Sequence, residues 1–169
     1  MKQELDAQLC ERYPKMMVNR HKNMQETAMC WGFECGDGWY NILNALMGNI
    51  QGHIDWKNKK EEVVPQVTLD QVKEKFGTLR FYYTGGDDYI RGLVSMAESM
   101  SAVTCEECGN PGEQTRGGWI KTICAPCEDK RADKRAAEYR AYHAQQDLKK
   151  ETTHEIKYEF IGEDTGDHD

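Results

Sequence analysis

Between positions 39 and 54 apolar residues return every third or fourth place: Trp39, Ile42, Leu43, Leu46, Met47, Ile50 and Ile54. That spacing predicts a long amphipathic helix with one buried face. Asp37 stands ahead of it where an N-cap belongs, and the glycines of Cys30–Gly38 mark a loop. A second stripe, Ile90, Leu93, Val94, Ala97 and Met100, follows Gly85-Gly86, with Asp87 or Asp88 as its cap. Between the two stripes the period shortens to two. Residues 63–75 and 78–84 read as strands around Phe76-Gly77, where Gly77 suits the left-handed position of a type I turn with a bulge. Leu79, Phe81 and Tyr83 then share one face, and Arg80, Tyr82 and Thr84 the other. Val67 and Leu69 fall on the opposite parity from Val72, which predicts a kink near Asp70.

The ends of the chain are more polar. Leu5 and Leu9 predict a short helix before Pro14, residues 13–29 are expected to be helical, and helix formers run from Cys127 through Lys150. Thr153–Ile161 is expected as a strand, and Gly162 onward, which has no apolar residue, as disorder. The predicted fold is α+β, with amphipathic helices packed on a β-hairpin. A treble-clef-like cysteine module and a C-terminal helix come after it. Three segments result: a core over 1–103, a metal module with its helix over 104–150, and an acidic, partly disordered tail over 151–169.

Cys105-Glu-Glu-Cys108 and Cys124-Ala-Pro-Cys127 carry the most direct chemistry in the chain. Each C-x-x-C pair folds as a knuckle that presents two thiolates, and two knuckles complete a tetrahedral shell for one zinc ion. Four unrelated buried thiols, or two disulfides, are the competing reading, which this spacing disfavours. A filled four-thiolate shell leaves no position for water or substrate, so the zinc would be structural. Knuckle, hairpin with Trp119, Ile120 and Ile123 in its second strand, ligand pair and helix, in that order, make the treble-clef arrangement.

The blocks Gly-Phe-Glu-Cys-Gly-Asp-Gly-Trp (32–39), Gln-Val-Lys-Glu-Lys-Phe-Gly-Thr-Leu-Arg-Phe-Tyr-Tyr (71–83) and Cys-Glu-Glu-Cys-Gly-Asn-Pro-Gly (105–112) together resemble a family of uncharacterised proteins of tailed bacteriophages and prophages. The likeness runs from about Glu11 through Cys127. That family has no assigned activity, so no catalytic or binding residue carries over. The resemblance implies a phage accessory context, in which small proteins inhibit or redirect host factors.

Charge changes the picture only modestly. The net charge is −7, of which residues 151–169 carry −6, while residues 121–150 carry +3. A mildly basic helix beside an acidic tail is a weak nucleic-acid footprint. The first residues contain acids where a secretory signal would be apolar, and no stretch has membrane-spanning length. Metal-type cysteine spacing points to a reducing compartment such as the cytoplasm, and the phage resemblance implies that of a bacterial host.

Catalytic motifs are missing: there is no phosphate loop, nucleophile elbow or H-E-x-x-H pair. His21 and His53 with Cys30 and Cys35 would make a second zinc site, though small buried thiols explain those cysteines more simply. Cys35 near a helix start would be an activated thiolate, but Glu34 and Asp37 oppose it. The expected working surface is the polar face of the hairpin, Arg80 and Tyr82 with Lys73 and Lys75, where cations and an aromatic suit a protein hot spot. The leading expectation is a non-enzymatic protein that binds and modulates a host protein. The alternatives are nucleic-acid or nucleotide binding through that face and the basic helix, and an enzyme with a site dispersed over Cys35, Asp37 and Arg80.

Overall fold

The structure, a computed structural model, describes residues 1–60 and 62–161; the tail 162–169, expected to be disordered, lies outside them. The chain divides into a unit spanning Met1–Cys127 and a second that begins at Glu128. The first unit is α+β, as the alternation of periods implies.

Helix α1 (Gln3–Arg12) opens the first unit. The expected helix over 13–29 does not form; that segment is a run of turns ending in a single 3-10 turn at Ala28–Trp31. The reason lies in its partners. Leu69 N–H donates to Met16 O (2.9 Å), Asn19 Nδ2 to Leu69 O (2.9 Å) and Thr27 Oγ1 to Asp70 O (3.3 Å). The segment serves the sheet's backbone groups instead of its own. Asp6 anchors it from α1: its carboxylate accepts from Arg20 Nη2 (3.1 Å) and from Phe33 N–H (3.1 Å).

Strand β1 (Phe33–Glu34), within the segment expected to be a loop, pairs parallel with β2 (Thr68–Lys75), which pairs antiparallel with β3 (Thr78–Thr84). The β2–β3 register shifts between Leu69 and Gln71, so Asp70 bulges and the parity switch seen in the sequence is accommodated. Residues 63–67 stay outside the strand. Phe76 and Gly77 both have positive φ, +55° and +76°, between the paired residues Lys75 and Thr78. This is the two-residue, type I′-like connection rather than the bulged type I turn expected. Phenylalanine in that conformation costs roughly 1–2 kcal/mol.

Helix α2 (Tyr40–Asn58) buries Ile42, Leu43, Leu46, Met47, Ile50 and Ile54 as its stripe predicts, and Trp39 is fully buried in the 3-10 turn before it. Helix α3 (Asp88–Ser101) packs on α2 and β3, burying Ile90, Val94 and Ala97, while Met100 stays exposed. It also closes the outer edge of β3: Leu79 N–H donates to Ser101 Oγ (2.8 Å) and Phe81 N–H to Glu98 Oε1 (3.1 Å). After β4 (Glu113–Gln114) and β5 (Thr122–Ile123) comes α4 (Ala125–Ile161). Thr153–Ile161, expected as a strand, belongs to this helix. Ion pairs along it, Glu128 with Arg131 and Arg135 and Lys134 with Glu138, suit a solvated helix. Among the described residues no helix is long and apolar enough to cross a membrane.

Asp87 caps α3 by accepting from Ile90 N–H (3.0 Å) and also from His53 Nε2 (2.8 Å), whose ring stacks on Tyr89. Burial alone would raise the Asp87 carboxyl, but the His53 and Ile90 hydrogen bonds outweigh it and hold it below the usual range. A carboxyl depressed by folding stabilises fully above its unfolded value of about 3.9, and that contribution is lost as pH falls through the folded value. Stability should therefore decline below about pH 4. Asp87→Asn, which still caps the helix, should flatten that decline in urea titrations across pH. An acid slope identical in variant and wild type would contradict the assignment.

Candidate metal centre and binding face

The first knuckle is a backbone construction. Cys105 N–H donates to Asn110 O (2.7 Å), Gly109 N–H to Cys105 O (2.9 Å), and Thr104 bridges to Pro111. Gly109 has φ +80°, which only glycine adopts without strain. The antiparallel β4–β5 pair then delivers the chain to Cys124, and Cys127 sits in the first turn of α4 with its N–H on Cys124 O (3.1 Å).

The sulfurs of Cys105, Cys108, Cys124 and Cys127 all lie within 4.8 Å of one another, and those of Cys108 and Cys124 are 3.6 Å apart. A tetrahedron with metal–sulfur bonds of about 2.3 Å has edges of about 3.8 Å, so the four could hold a metal ion. The proton affinities of Cys108 and Cys127 fit that use. The Asn110 N–H brings the Cys108 thiol down to about 7, whereas the neighbouring thiols, Cys124 first, push Cys127 up to about 12. Four thiols at one point resist losing all their protons until a cation takes the protons' place. Among the described residues no other group of three or more histidine, cysteine, aspartate or glutamate side chains gathers in this way. The second site considered for His21, His53, Cys30 and Cys35 is not assembled there: His53 is held by Asp87, and Cys30 Sγ donates to Thr27 O (3.2 Å).

The metal segment is docked on the core through the Gly36–Trp39 turn. Gly38 N–H donates to Glu106 O (2.8 Å), Gly36 N–H to Glu106 Oε1 (2.9 Å), and Trp39 Nε1 to Thr104 O (2.8 Å). A Cβ on Gly38 would fall 2.2 Å from Cys105 O and 2.4 Å from Gly109 N. The two glycines therefore exist to let backbone meet backbone. Asp37, expected to cap α2, instead reaches the start of α1: Oδ1 accepts from Lys2 N–H (2.7 Å) and Oδ2 pairs with Lys2 Nζ (3.2 Å). Glu106 is the junction. Its side chain is almost fully buried, and besides Gly36 it holds Lys121 Nζ (2.9 Å), while its N–H donates to Thr122 O (2.9 Å). The sequence marks Gly36 and Gly38 as loop residues and assigns no packing role to them or to Glu106; a Gly-x-Gly immediately before Trp39 was the available signal.

Arg80 and Lys73 face each other at one rung of the β2–β3 ladder, with Tyr82 opposite Gln71 and Lys75 opposite Thr78. Leu79 and Phe81 are buried on the core side, so the strand alternation puts Lys73, Lys75, Arg80 and Tyr82 together on the other face. Lys73 Nζ lies 5.7 Å from the centre of the Tyr82 ring. Arg80 Nη1 donates to Thr78 Oγ1 (2.6 Å) and Leu79 O (2.8 Å), which fixes the guanidinium on the strand. Cys35, by contrast, is buried, and burial pushes its thiol up to about 12, the opposite of an activated nucleophile. No family model, curated protein or solved structure matches the chain.

Two outcomes test this centre. One metal ion per chain should be released by a strong chelator, and the loss should free the Trp39 indole from Thr104, read as a fluorescence change below the main melting transition. Elemental analysis without metal would refute it. Glu106→Ala should destabilise by about 3 kcal/mol, because it strands the Lys121 ammonium and the Gly36 N–H. Urea unfolding with a change below about 0.5 kcal/mol, the range of an ordinary surface substitution, would show that Glu106 is no junction.

Proposed function

We propose that this chain is a non-enzymatic binding protein, a bacteriophage accessory factor that engages and modulates a host protein through the open face of its sheet. One structural zinc in a treble-clef-like module holds that surface in shape. The observation that carries the reading is the preorganised Arg80: it is hydrogen-bonded to its own strand beside the half-exposed Tyr82 and Lys73, and arginine and tyrosine are the residue types that anchor protein interfaces. Four thiolates around one point suit zinc and exclude an open coordination position. The knuckle, the β4–β5 hairpin and a ligand pair at the start of a helix support the treble-clef description. A reading without catalysis agrees with the buried, protonated Cys35 and with Asp37 committed to Lys2. Unpaired thiols at all seven cysteines agree with the bacterial cytoplasm.

Arg80→Glu should abolish capture of the partner from host extract while metal content stays unchanged. The lost hydrogen bonds to Thr78 and Leu79 should lower stability by about 1 kcal/mol. Undiminished capture by a folded Arg80→Glu protein would remove the sheet face from the proposal. An unfolded variant would mean that Arg80 is structural, and Tyr82→Ala would then decide the face by the same assay.

A further inference from the structure

The hairpin tip carries a feature that packing does not explain. Phe76 occupies a left-handed turn position where asparagine or aspartate is favoured, yet its side chain is 66% exposed. Neither backbone preference nor burial accounts for a phenylalanine there. Strain kept at an exposed aromatic is a mark of use.

A second exposed aromatic stands beside it. Trp119 is 77% exposed at the end of the Gly117-Gly118 turn, whose residues have φ of +75° and +55°. The two tips are locked to each other: Thr122 Oγ1 donates to Gly77 O (2.5 Å), and a Cβ on Gly77 would lie 3.2 Å from Ile120 Cγ2. Between them opens a hollow of ≈ 330 Å³ lined by Glu74, Lys75, Phe76, Gly118, Trp119 and Ile120. Lys75 Nζ lies 5.4 Å from the Phe76 ring centre, and Arg116 is exposed on the loop that carries Trp119. The Glu74 carboxylate is taken up by Gly77 N–H (2.7 Å). Residues 71–82 and 113–122 together carry a net +3 in a chain whose net charge is −7.

We propose that this tip is a binding site for single-stranded nucleic acid, with bases stacking on Phe76 and Trp119 and phosphates held by Lys75 and Arg116. Two exposed aromatics, with Lys75 beside the Phe76 ring and Arg116 on the loop of Trp119, match the two things an unpaired strand presents, the π-faces of its bases and its phosphates. A duplex hides its base faces and should bind more weakly. The site goes beyond the proposed capture of a host protein at Arg80 and needs neither that partner nor that face.

Fluorescence anisotropy with a labelled oligothymidine, on the metal-loaded full chain, tests it. Binding should weaken steeply as salt rises. Trp119→Ala and Phe76→Asn should each weaken binding about tenfold or more. Phe76→Asn should at the same time raise Tm by about 3 °C or more, since asparagine suits the turn. No binding by the wild type, or binding that both variants retain, would overturn the proposal, and a lower Tm for Phe76→Asn would overturn the strain argument behind it. Equal affinity for a duplex of matched length would also overturn it, because stacking would then not be the mode. Host-protein capture scored on the same variants keeps this outcome separate from that of Arg80.

Discussion

The first cysteine knuckle and the Gly36–Trp39 turn meet backbone to backbone, and the rest of the first unit is arranged around that contact. Gly38 leaves no room for a side chain against Cys105 and Gly109, while Glu106 spans the junction with its carbonyl, carboxylate and amide all engaged. Buried polar groups at such a contact must be paired or they destabilise it heavily. Each bond here therefore fixes the others: α2 begins where it does because Trp39 is tied to Thr104, and the knuckle is placed because Gly36 and Gly38 hold Glu106.

The same junction reaches the hairpin. Glu106 N–H donates to Thr122 O, and Thr122 Oγ1 in turn donates to Gly77 O, so order at the metal centre is passed to the tip of the β2–β3 turn in two steps. The four cysteines, which lie together and could hold a metal ion, thus stand on the same segment that sets β5 and its loop against the sheet. The sheet's edges are managed by local polar side chains. Ser101 and Glu98 occupy the β3 edge, and the turns of residues 13–31 serve β2 beyond the short β1. What remains open is the face with Lys73, Arg80 and Tyr82, and the tip with Phe76 and Trp119.

Much of this was legible in the linear pattern. The stripes of α2 and α3, the alternation of β3, the parity switch at Asp70 and the spacing of the four cysteines each follow from a period or a spacing set within a few residues. Such features need no knowledge of distant chain, because helix and strand geometry dictate which neighbours share a face. Two of the misreadings fall where local preference was overridden. Residues 13–29 gave up a helix to supply donors and acceptors to β2, and Asp37 left the helix it precedes for Lys2 across the fold.

The sequence by itself determined the buried stripe of α2, which cysteines lie together and which side of the hairpin is polar, because those depend on covalent spacing and hydrophobic burial. Only the tertiary structure decided why Gly36 and Gly38 are glycines, why Glu106 lies inside a knuckle, and how Phe76 and Trp119 come to flank one hollow. Those are contacts between segments tens of residues apart. No local period encodes them; they arise when backbone groups that must be satisfied meet others that fit.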